Sequence, residues 1–424
     1  HGKLYDPDRA APGSTRCRRG GFLDGVDLFD AAFFSILPSV AETTDPQERL
    51  FLECAYHAME NAGHHRDSLD PAEDGRPGRE VGVFVGVMYE DYPLHGVEET
   101  MRGRPLALSG SPASVANRVS YSFDFRGPSL GVDTMCSSSH MAIHLACQSL
   151  RLGECRAALA GGVNLSLHPN KYRILGHGSF ESAAGRCAAF GDGADGYVPS
   201  EGVGAVVLRP LDAALRDGDR ILAVLRGSAV NHGGHTNGYT VPDPSAQARV
   251  IVSALSRSGL DPDTVSYVET HGTGTSLGDP IEIAGLMRAY GQNLRRGPLP
   301  IGSAKSAIGH CESAAGIASV TKVLLQMEHG ELAPTLHADP PNRHIDFAAT
   351  PFVVQKTLGP WHRLTQNGRE LPRRAGISSY GAGGANAHLV LEERIEAPRR
   401  EAVNAGPQAL VLSARTATAL ATRV

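Results

Sequence analysis

One cysteine of the sequence, Cys136, lies in the stretch VDTMCSSSHMA between an apolar run and three serines. The residues before it are typical of a strand and those after it of a helix, so we expect the thiol where a helix begins. The first N–H groups of a helix have no partner within the helix and carry partial positive charge, which favours a thiolate. The thiolate is the nucleophilic form of cysteine. A buried, inert thiol is the alternative that this stretch leaves open.

Two histidines each follow a strand-like run and lie in a loop of small residues. His271 lies in YVETHGTGTSLGDP, where Gly272 and Gly274 allow a tight turn. His310 lies in IGSAKSAIGHCESAAG, five residues after Lys305. Neither histidine has a second ligand at metal-binding spacing, and no H-E-x-x-H motif occurs, so we expect no metal site. A structural histidine at a strand end stays the alternative for His271.

A glycine-rich stretch near the end of the chain, GISSYGAGGANAH, would expose backbone N–H groups, which suits an oxyanion hole. It lacks the G-K-[ST] of a phosphate-binding loop. A thiol, two neutral imidazoles, a lysine and such a loop can together form a thioester and stabilise an enolate. These groups suit the decarboxylation of a malonyl thioester and the attack of its carbanion on a bound acyl group. A Cys/His pair of the protease type would not need the second histidine loop.

The composition is that of a globular protein, with 41% hydrophobic and 20% charged residues among 424. A net charge of −5 gives no footprint for nucleic acid. We see no apolar run as long as a membrane span and no secretion signal, so we expect neither a membrane nor a nucleic acid as partner. The cysteines are seven, an odd number, without C-x-x-C pairs. This count argues against a disulfide framework and favours a reducing cytoplasm.

Strand-like and helix-like runs alternate along the chain, which indicates an α/β fold with largely buried sheets. Two of its segments look alike. One is the strand, Cys136 and helix of SLGVDTMCSSSHMAIHLACQSL, and the other is the strand, polar loop and helix around LPIGSAKSAIGH and GIASVTKVLL. The likeness hints at two similar halves.

These motifs resemble the ketosynthase (β-ketoacyl synthase) domain of modular type I polyketide synthases. VDTMCSSS, ETHGTGTSLGDPIEI, GSAKSAIGH and GISSYGAGGANAH follow one another in the order and spacing of that family, and the similarity covers about residues 5–395. AGGVNLSLHPNKY, NHGGHTNGYTVPDPSAQ and GHCESAAGIA are similar to ketosynthases of assembly lines that are served by trans-acting acyltransferases. The resemblance therefore implies polyketide chain elongation by decarboxylative Claisen condensation of a cysteine-bound acyl chain with malonyl-acyl carrier protein.

The same resemblance implies the thiolase fold, five αβαβα layers built from two pseudo-symmetric halves, and an obligate homodimer. The N-terminal half would span residues 1–210 and carry the cysteine, and the C-terminal half would span 211–396 and carry both histidines. Residues 397–424 would begin a linker or flanking subdomain. The family's opening strand would precede residue 1, and we expect it to be cut off from the sequence or disordered. Without that strand a sheet edge would be open.

Carried over by motif, Cys136 is the acyl-accepting nucleophile, and His271 and His310 support decarboxylation and stabilise the enolate. Lys305 would order the network around His310. The backbone N–H groups of Cys136 and Tyr380 would form the oxyanion hole.

The substrate contacts follow by the same comparison. Thr273 and Thr275 would contact the phosphopantetheine arm, and Met135 would shape the acyl pocket. The domain itself would bind no cofactor, because its substrates arrive on the phosphopantetheine arms of acyl carrier proteins upstream and downstream.

The sequence departs from the family pattern at several positions. Ala307 stands where the family has an Asn that could brace the His310 loop, Tyr380 replaces a Phe and His140 replaces a Leu. A non-elongating ketosynthase that only accepts and passes on an acyl chain is therefore one alternative. A silent scaffold for carrier-protein docking is another. Loss of His271 would favour the first alternative and replacement of Cys136 the second, and this sequence retains both residues.

Overall fold

The computed structural model describes residues 4–8, 13–72, 75–178, 180–291, 297–395, 411–414 and 416–423. Its helices alternate with strands as the sequence predicts. The helices are α1 Pro38–Thr43, α2 Pro46–Asn61, α3 Tyr92–Met101, α4 Pro112–Phe123, α5 Ser138–Leu152, α6 Asn170–Gly178, α7 Leu211–Asp217, α8 Pro244–Ser258, α9 Gly278–Tyr290, α10 Lys305–Ile308, α11 Ala315–His329 and α12 Ala417–Arg423. Short 3-10 helices span Pro262–Thr264, Glu312–Ala314 and Phe347–Ala349.

Within the described residues, the strands form two main sheets and two small antiparallel sheets of two strands each. They are β1 Val81–Gly86, β2 Ser129–Val132, β3 Ala157–Asn164, β4 Gly202–Leu208, β5 Ala223–His232, β6 Tyr267–Glu269, β7 Leu299–Gly302, β8 Glu331–Leu332, β9 Phe352–Val354, β10 Gly359–Pro360, β11 Thr365–Gln366, β12 Arg369–Glu370, β13 Arg374–Tyr380 and β14 Ala385–Glu393. The first main sheet has the order β2-β1-β3-β4 and the second the order β5-β14-β13-β6-β7-β9.

The two sheets repeat one pairing pattern. In the first, β1 pairs in parallel with β2 and β3, and β3 pairs antiparallel with β4. In the second, β6 pairs in parallel with β7 and β13, and β13 pairs antiparallel with β14. The helices that follow the equivalent strands β2 and β7 are α5 and α11, after the intervening α10, and both end at a left-handed glycine, Gly153 and Gly330. The likeness between the two segments of the sequence is therefore a real structural repeat.

Buried apolar residues divide into layers. Side chains of both sheets meet those of α5 and α11 in a central core that includes Phe84, Ile143, Ile317 and Leu389. The outer face of the first sheet packs against α2 and α4, and the outer face of the second packs against α8 and α9. Helix, sheet, helix, sheet and helix layers follow one another, as in the thiolase fold that the sequence predicts.

Helix ends follow local sequence signals. Asp45 accepts a hydrogen bond from the N–H of Gln47 at the start of α2, and Asp243 accepts from Ser245 and Ala246 at the start of α8. A proline occupies the first turn in both cases, where its missing N–H costs nothing. These caps fix the outer helices against the sheets.

Both end strands of the first sheet, β2 and β4, lack a further partner strand among the described residues. β4 is the last strand of that sheet, and all seven of its residues are partly exposed, whereas the equivalent β14 is covered by β5. Two grooves lined by apolar side chains run on either side of β4, and neither contains Cys136. We attribute both grooves to this open edge rather than to a substrate site.

No helix of the described residues combines the length and the apolar character that crossing a bilayer requires. The predicted flanking segment, residues 397–424, lies mostly outside the described residues, which resume at 411–414 and 416–423.

Candidate active site

Cys136 lies in a tight turn between β2 and α5, as the sequence predicts. Met135 before it adopts a left-handed backbone with φ 59°, a conformation that is costly for a side chain of this size. The turn is held by Ser138, whose hydroxyl donates to the carbonyl of Met135 at 2.5 Å and accepts from the N–H of Thr134 at 2.9 Å. Ser379 of β13 donates its hydroxyl to the Cys136 carbonyl at 2.8 Å. The nucleophile is thus fixed by both halves.

Burial opposes the thiolate that the helix start is expected to favour. The Cys136 side chain is buried, and burial raises the pKa of its thiol to about 12. The negative charge of Glu312 raises this pKa further, while the Lys305 charge and the N–H groups of Ala382 and Cys136 oppose the rise. A charge in a low-dielectric interior is costly, and a helix start does not offset that cost here. The resting nucleophile is a protonated thiol.

His271 follows β6 in a loop that carboxylates hold from behind. Glu282 of α9 accepts hydrogen bonds from the backbone N–H groups of His271 and Gly272, at 2.7 and 2.8 Å. Gly274 has φ 76°, and a Cβ there would lie 2.6 Å from the nitrogen of Ala188. The glycine is therefore required for this close approach, as the sequence predicts.

The two histidine rings meet in front of the cysteine. Their centroids are 5.6 Å apart with an interplanar angle of 82°. The backbone N–H of Tyr380 donates to Nδ1 of His271 at 3.3 Å, and the N–H of Glu312 donates to Nδ1 of His310 at 3.0 Å. A ring nitrogen that accepts a hydrogen bond carries no proton, so in both neutral rings the proton lies on Nε2.

Both imidazoles are held neutral. Burial, followed by the positive charge of Lys305, lowers the pKa of His271 and of His310 well below the usual value of 6.5. Nε2 of His310 has no hydrogen-bond partner among the described residues. Each ring therefore offers an Nε2–H donor to a substrate in the cleft that both histidines line.

Lys305 acts on the other histidine loop than the one we predicted. Its Nζ donates to the backbone carbonyl of His271 at 2.6 Å, and among the described residues it makes no hydrogen bond to the His310 ring. Its charge nevertheless lies close enough to depress the pKa of both rings. The lysine thus braces the His271 loop and keeps the site positive.

The predicted oxyanion pair of Cys136 and Tyr380 stays a prediction, and the structure adds a third candidate donor. The N–H of Tyr380 is already used by Nδ1 of His271. The backbone N–H groups whose hydrogen bonds lower the pKa of the Cys136 thiol are those of Cys136 itself and of Ala382, two residues further along the glycine-rich loop. Ala382 is therefore the residue that sequence comparison missed.

The cleft at Cys136 encloses about 860 Å³, including its open mouth. It is lined by six of the predicted residues, namely Cys136, His271, Thr273, Thr275, His310 and Tyr380, together with loop residues 233–234, 236, 239–243 and 381–384. The hydroxyls of the two threonines lie 3.2 Å apart at its wall. Lys305 lies behind the wall, and Met135 does not line the cleft in this chain.

Two of the unusual residues lie away from the cleft. His140 is fully buried between α5 and α11, against Gly316, and burial lowers the pKa of its ring to about 3. Ala307 is exposed on α10, facing the groove beside β4. The His310 loop, which lacks the bracing amide that an Asn at position 307 would supply, is held by backbone bonds to Val198 and Ser200, at 2.8 and 2.9 Å.

Three buried carboxylates shape the site without having been predicted. Glu282 and Asp279 accept backbone N–H groups of the His271 loop, and burial raises their pKa values to about 7 and about 6. Glu312 supplies the N–H that orients His310. The available signal was an acidic residue within an otherwise apolar helical run, as in GDPIEIAGL.

One cluster of metal-type ligands exists outside the cleft among the described residues. His95, Glu98 and His168 bring their ligand atoms within 4.8 Å of one another. Nδ1 of His168 accepts the N–H of Asn170 at 3.1 Å, so Nε2 carries the proton and faces Glu98 at 3.0 Å. Nε2 of His95 faces the Leu167 carbonyl at 2.8 Å. The protein's own hydrogen bonds therefore occupy this cluster.

Comparison with known families agrees with this geometry. Residues 1–214 match the family described as "Beta-ketoacyl synthase, N-terminal domain", and residues 222–339 match "Beta-ketoacyl synthase, C-terminal domain". Residues 341–424 match "Ketoacyl-synthetase C-terminal extension".

Similar curated proteins are much longer than this chain. The chain is 57% identical over 422 residues to polyketide synthase PksL of Bacillus subtilis, covering 98% of this chain and 9% of that protein. It is 57% identical over 434 residues to polyketide synthase ThaG of Burkholderia thailandensis, covering 100% of this chain and 8% of that protein.

Solved structures give the same answer. The oxazolomycin ketosynthase domain OzmH KS7 of Streptomyces albus JA3453 has a TM-score of 0.93 and 52% identity, covering 100% of this chain and 72% of that one. The ketosynthase from module 6 of the bacillaene synthase of Bacillus subtilis 168 has a TM-score of 0.83 and 39% identity, covering 93% and 66%. This chain belongs to the β-ketoacyl synthase family and is a ketosynthase domain of the kind found in polyketide synthases.

Proposed function

We propose that this domain elongates a polyketide chain by decarboxylative Claisen condensation. Cys136 carries the growing acyl chain, and malonyl-acyl carrier protein supplies the two added carbons. The observation that carries the proposal is the matched pair of backbone bonds from Tyr380 and Glu312, which leaves both His271 and His310 with Nε2–H donors.

The first step loads the chain. The Cys136 sulfur attacks the carbonyl of an acyl thioester on a phosphopantetheine arm, and the thiol proton passes to the departing phosphopantetheine sulfur. The N–H groups of Cys136 and Ala382 stabilise the oxyanion of the tetrahedral intermediate. Because the raised pKa keeps the resting Cys136 protonated, this exchange moves a proton between two sulfurs without leaving a buried charge.

The second step generates the nucleophilic carbon. A malonyl thioester enters the same cleft, with its arm along Thr273 and Thr275, and its thioester oxygen accepts from Nε2–H of His271 and His310. The C–C bond to the carboxylate breaks, carbon dioxide leaves, and the electron pair becomes an enolate. Neutral imidazoles suit this step because they donate hydrogen bonds to the developing charge without giving up a proton.

The third step joins the two fragments. The enolate carbon attacks the acyl carbonyl on Cys136, the new C–C bond forms, and the cysteine sulfur leaves. The product is a β-ketoacyl chain, longer by two carbons, on the carrier protein. The departing Cys136 thiolate takes up one proton from solvent, which the high pKa of this thiol favours, and the site is reset.

The partners in this proposal are an upstream and a downstream acyl carrier protein and a second copy of the domain. The domain binds no cofactor of its own, and its acyltransferase acts in trans, as the motifs around Asn164 and His232 suggest. The working compartment is the reducing cytoplasm, where all seven cysteines persist as free thiols. The two halves, proposed at residues 1–210 and 211–396, together supply one site.

The homodimer forms along β2. This strand ends its sheet, and Leu130 on it is 45% exposed beside Tyr121 of α4, which is 83% exposed. An unpaired edge next to exposed apolar side chains favours pairing with the same strand of a second copy about a two-fold axis. Sedimentation should give a dimer, which Leu130→Arg should dissociate; a monomer for the unmodified protein contradicts this part of the proposal.

Intact-protein mass spectrometry tests the function. The protein is loaded with an acyl thioester, and malonyl-acyl carrier protein is then added. We expect the acyl mass on Cys136, followed by a chain longer by two carbons on the carrier protein. Loading followed only by release or transfer would instead support a non-elongating ketosynthase. Cys136→Ala should abolish loading.

A further inference from the structure

A fully buried ion pair lies next to His310, outside the cleft. Nζ of Lys171 and Oε2 of Glu312 are 2.6 Å apart, and both side chains are 0% exposed. Burying two charges carries a large desolvation cost, so such a pair contributes little to stability on its own. Its position next to the reacting groups suggests a different role.

Every donor of the Lys171 ammonium is engaged. Besides Glu312, it donates to Oδ1 of Asn164 at 3.0 Å and to the carbonyl of Leu165 at 3.2 Å. Its charge also lies 4.6 Å from the ring centroid of Tyr89. The lysine is therefore held in one position by four neighbours and does not reach the cleft.

Glu312 is fixed equally firmly. Its Oε2 accepts from Nδ2 of Asn164 at 3.0 Å as well as from Lys171, and its Oε1 accepts from the hydroxyl of Tyr197 at 3.4 Å. The ring of Tyr197 packs on the ring of His310, with centroids 4.7 Å apart. The carboxylate thus connects Lys171 and Asn164 with Tyr197, whose ring packs on this histidine.

The backbone of Glu312 carries the consequence. It has φ 48°, a left-handed conformation that a residue with a side chain adopts only when its surroundings enforce it. In this conformation its N–H donates to Nδ1 of His310 at 3.0 Å. That hydrogen bond places the ring proton on Nε2, the nitrogen with no partner among the described residues.

We propose that Lys171 and Glu312 are positioning residues that hold the donor geometry of His310 for the decarboxylation step. Lys171 anchors the Glu312 carboxylate, which keeps the strained backbone in place and its N–H on Nδ1 of His310. The inference rests on the proposed condensing function. It assigns the pair to the malonyl step, because loading of Cys136 uses the N–H groups of Cys136 and Ala382 and does not need His310.

The test measures the two partial reactions separately in the full chain. Lys171→Met is compared with the unmodified protein for the rate of acyl loading on Cys136 and for the rate of decarboxylation of malonyl-acyl carrier protein. We expect loading within about twofold of the unmodified protein and decarboxylation slower by about 10²-fold, the size typical of one lost transition-state donor.

Arg118→Met is the matched control. It breaks an ion pair to Glu48, whose side chain is 1% exposed, outside the cleft. We expect it to lower thermal stability and to leave the ratio of decarboxylation to loading unchanged. A Lys171→Met protein with the unmodified ratio, whether both rates stay or both fall together, overturns the inference.

The double variant Lys171→Met/Glu312→Gln covers the case in which an unpaired buried carboxylate prevents folding. It removes both charges and keeps the backbone N–H of Glu312. We still expect decarboxylation to be slowed at least about tenfold relative to loading, and recovery of the unmodified ratio overturns the inference. If the unmodified protein loads an acyl chain and never decarboxylates malonyl-acyl carrier protein, the proposed function itself fails, whatever the variants do.

Discussion

Gly316 of α11 lies so close to the ring of His140 on α5 that a Cβ on the glycine would be 2.6 Å from the ring's Cδ2. This contact joins the two equivalent helices of the repeat at the centre of the molecule. His140 is buried on all sides, so neither partner can move aside without displacing the layer next to it.

Gly316→Ala should therefore destabilise the fold. Overpacking a core costs about 1–3 kcal/mol, while alanine gains about 1 kcal/mol over glycine in a helix. We expect a net loss, measured as a lower midpoint of denaturant unfolding. The double variant Gly316→Ala/His140→Ala should lose less than the sum of the single variants, because the ring that causes the clash is gone. Strict additivity would show that the contact is not the cause.

Because the ring of His140 is buried, we predict that the stability of the protein depends on pH. Its ring has a pKa of about 3 in the fold and 6.5 as the reference value, so below pH 6.5 the unfolded chain takes up a proton that the folded chain does not. The contribution of the neutral ring to the free energy of unfolding is fully present above pH 6.5 and is lost as the pH falls toward 3. Between pH 7 and pH 5 this one group removes about 2 kcal/mol from the free energy of unfolding.

His140→Leu should reduce that loss by the same amount, measured by unfolding at pH 7 and pH 5. The exposed His57 on α2 supplies the control, because its side chain is solvated in both states. His57→Gln should leave the difference between the two pH values unchanged. An unchanged difference in the His140→Leu protein contradicts the assignment.

The raised pKa of Cys136 is testable by alkylation. Because only the thiolate reacts, the rate of modification by iodoacetamide should rise about tenfold per pH unit from pH 7 to pH 10 without reaching a plateau. Peptide mass spectrometry follows this cysteine among the seven, and free cysteine in the same solution serves as a thiol of ordinary acidity. A plateau below pH 8 would mean that the resting site holds a thiolate after all.

The role of Ala382 predicts a loading defect. Proline has no N–H, so Ala382→Pro removes one of the two N–H groups whose hydrogen bonds lower the pKa of the Cys136 thiol, and acyl loading of Cys136 should slow by about 10²-fold. Tyr380→Phe is the matched variant in the same loop, since Tyr380 acts through its backbone, and its loading rate should stay near that of the unmodified protein. Equal rates in all three proteins would remove Ala382 from the oxyanion hole.

Much of this fold could be predicted because its signals are local. The buried run of β1, the proline-started α2 and α8, and the strand–loop–helix likeness around Cys136 and Lys305 all appear in the sequence and recur in the structure. β1 pairs in parallel with β2 and β3, and β6 pairs in parallel with β7 and β13. This shared pairing pattern explains why the two sequence segments look alike. Amphipathic periodicity and caps are properties of neighbouring residues, so they need no knowledge of the fold.

The features that sequence reasoning missed depend on contacts between distant segments. The pKa of Cys136 is raised by burial and by the charge of Glu312, which lies 176 residues further along the chain. The choice between Tyr380 and Ala382 depends on the path of a loop with four glycines nearby, whose backbone freedom leaves the direction of each N–H open. The left-handed backbone of Glu312 has no signal in the residue type.

The repeated strand pattern has a consequence for how this catalyst can be divided. The nucleophile follows β2, whereas His271 and His310 follow β6 and β7, so the cleft is assembled across the seam between two equivalent sheets. Ser379, in the half with the second sheet, holds the Cys136 carbonyl of the half with the first sheet. In the opposite direction, Asn164 and Lys171 of that first half hold Glu312 of the second. Neither half owns a complete set of reacting groups. The two equivalent units are therefore not interchangeable, because each supplies a different part of one reaction.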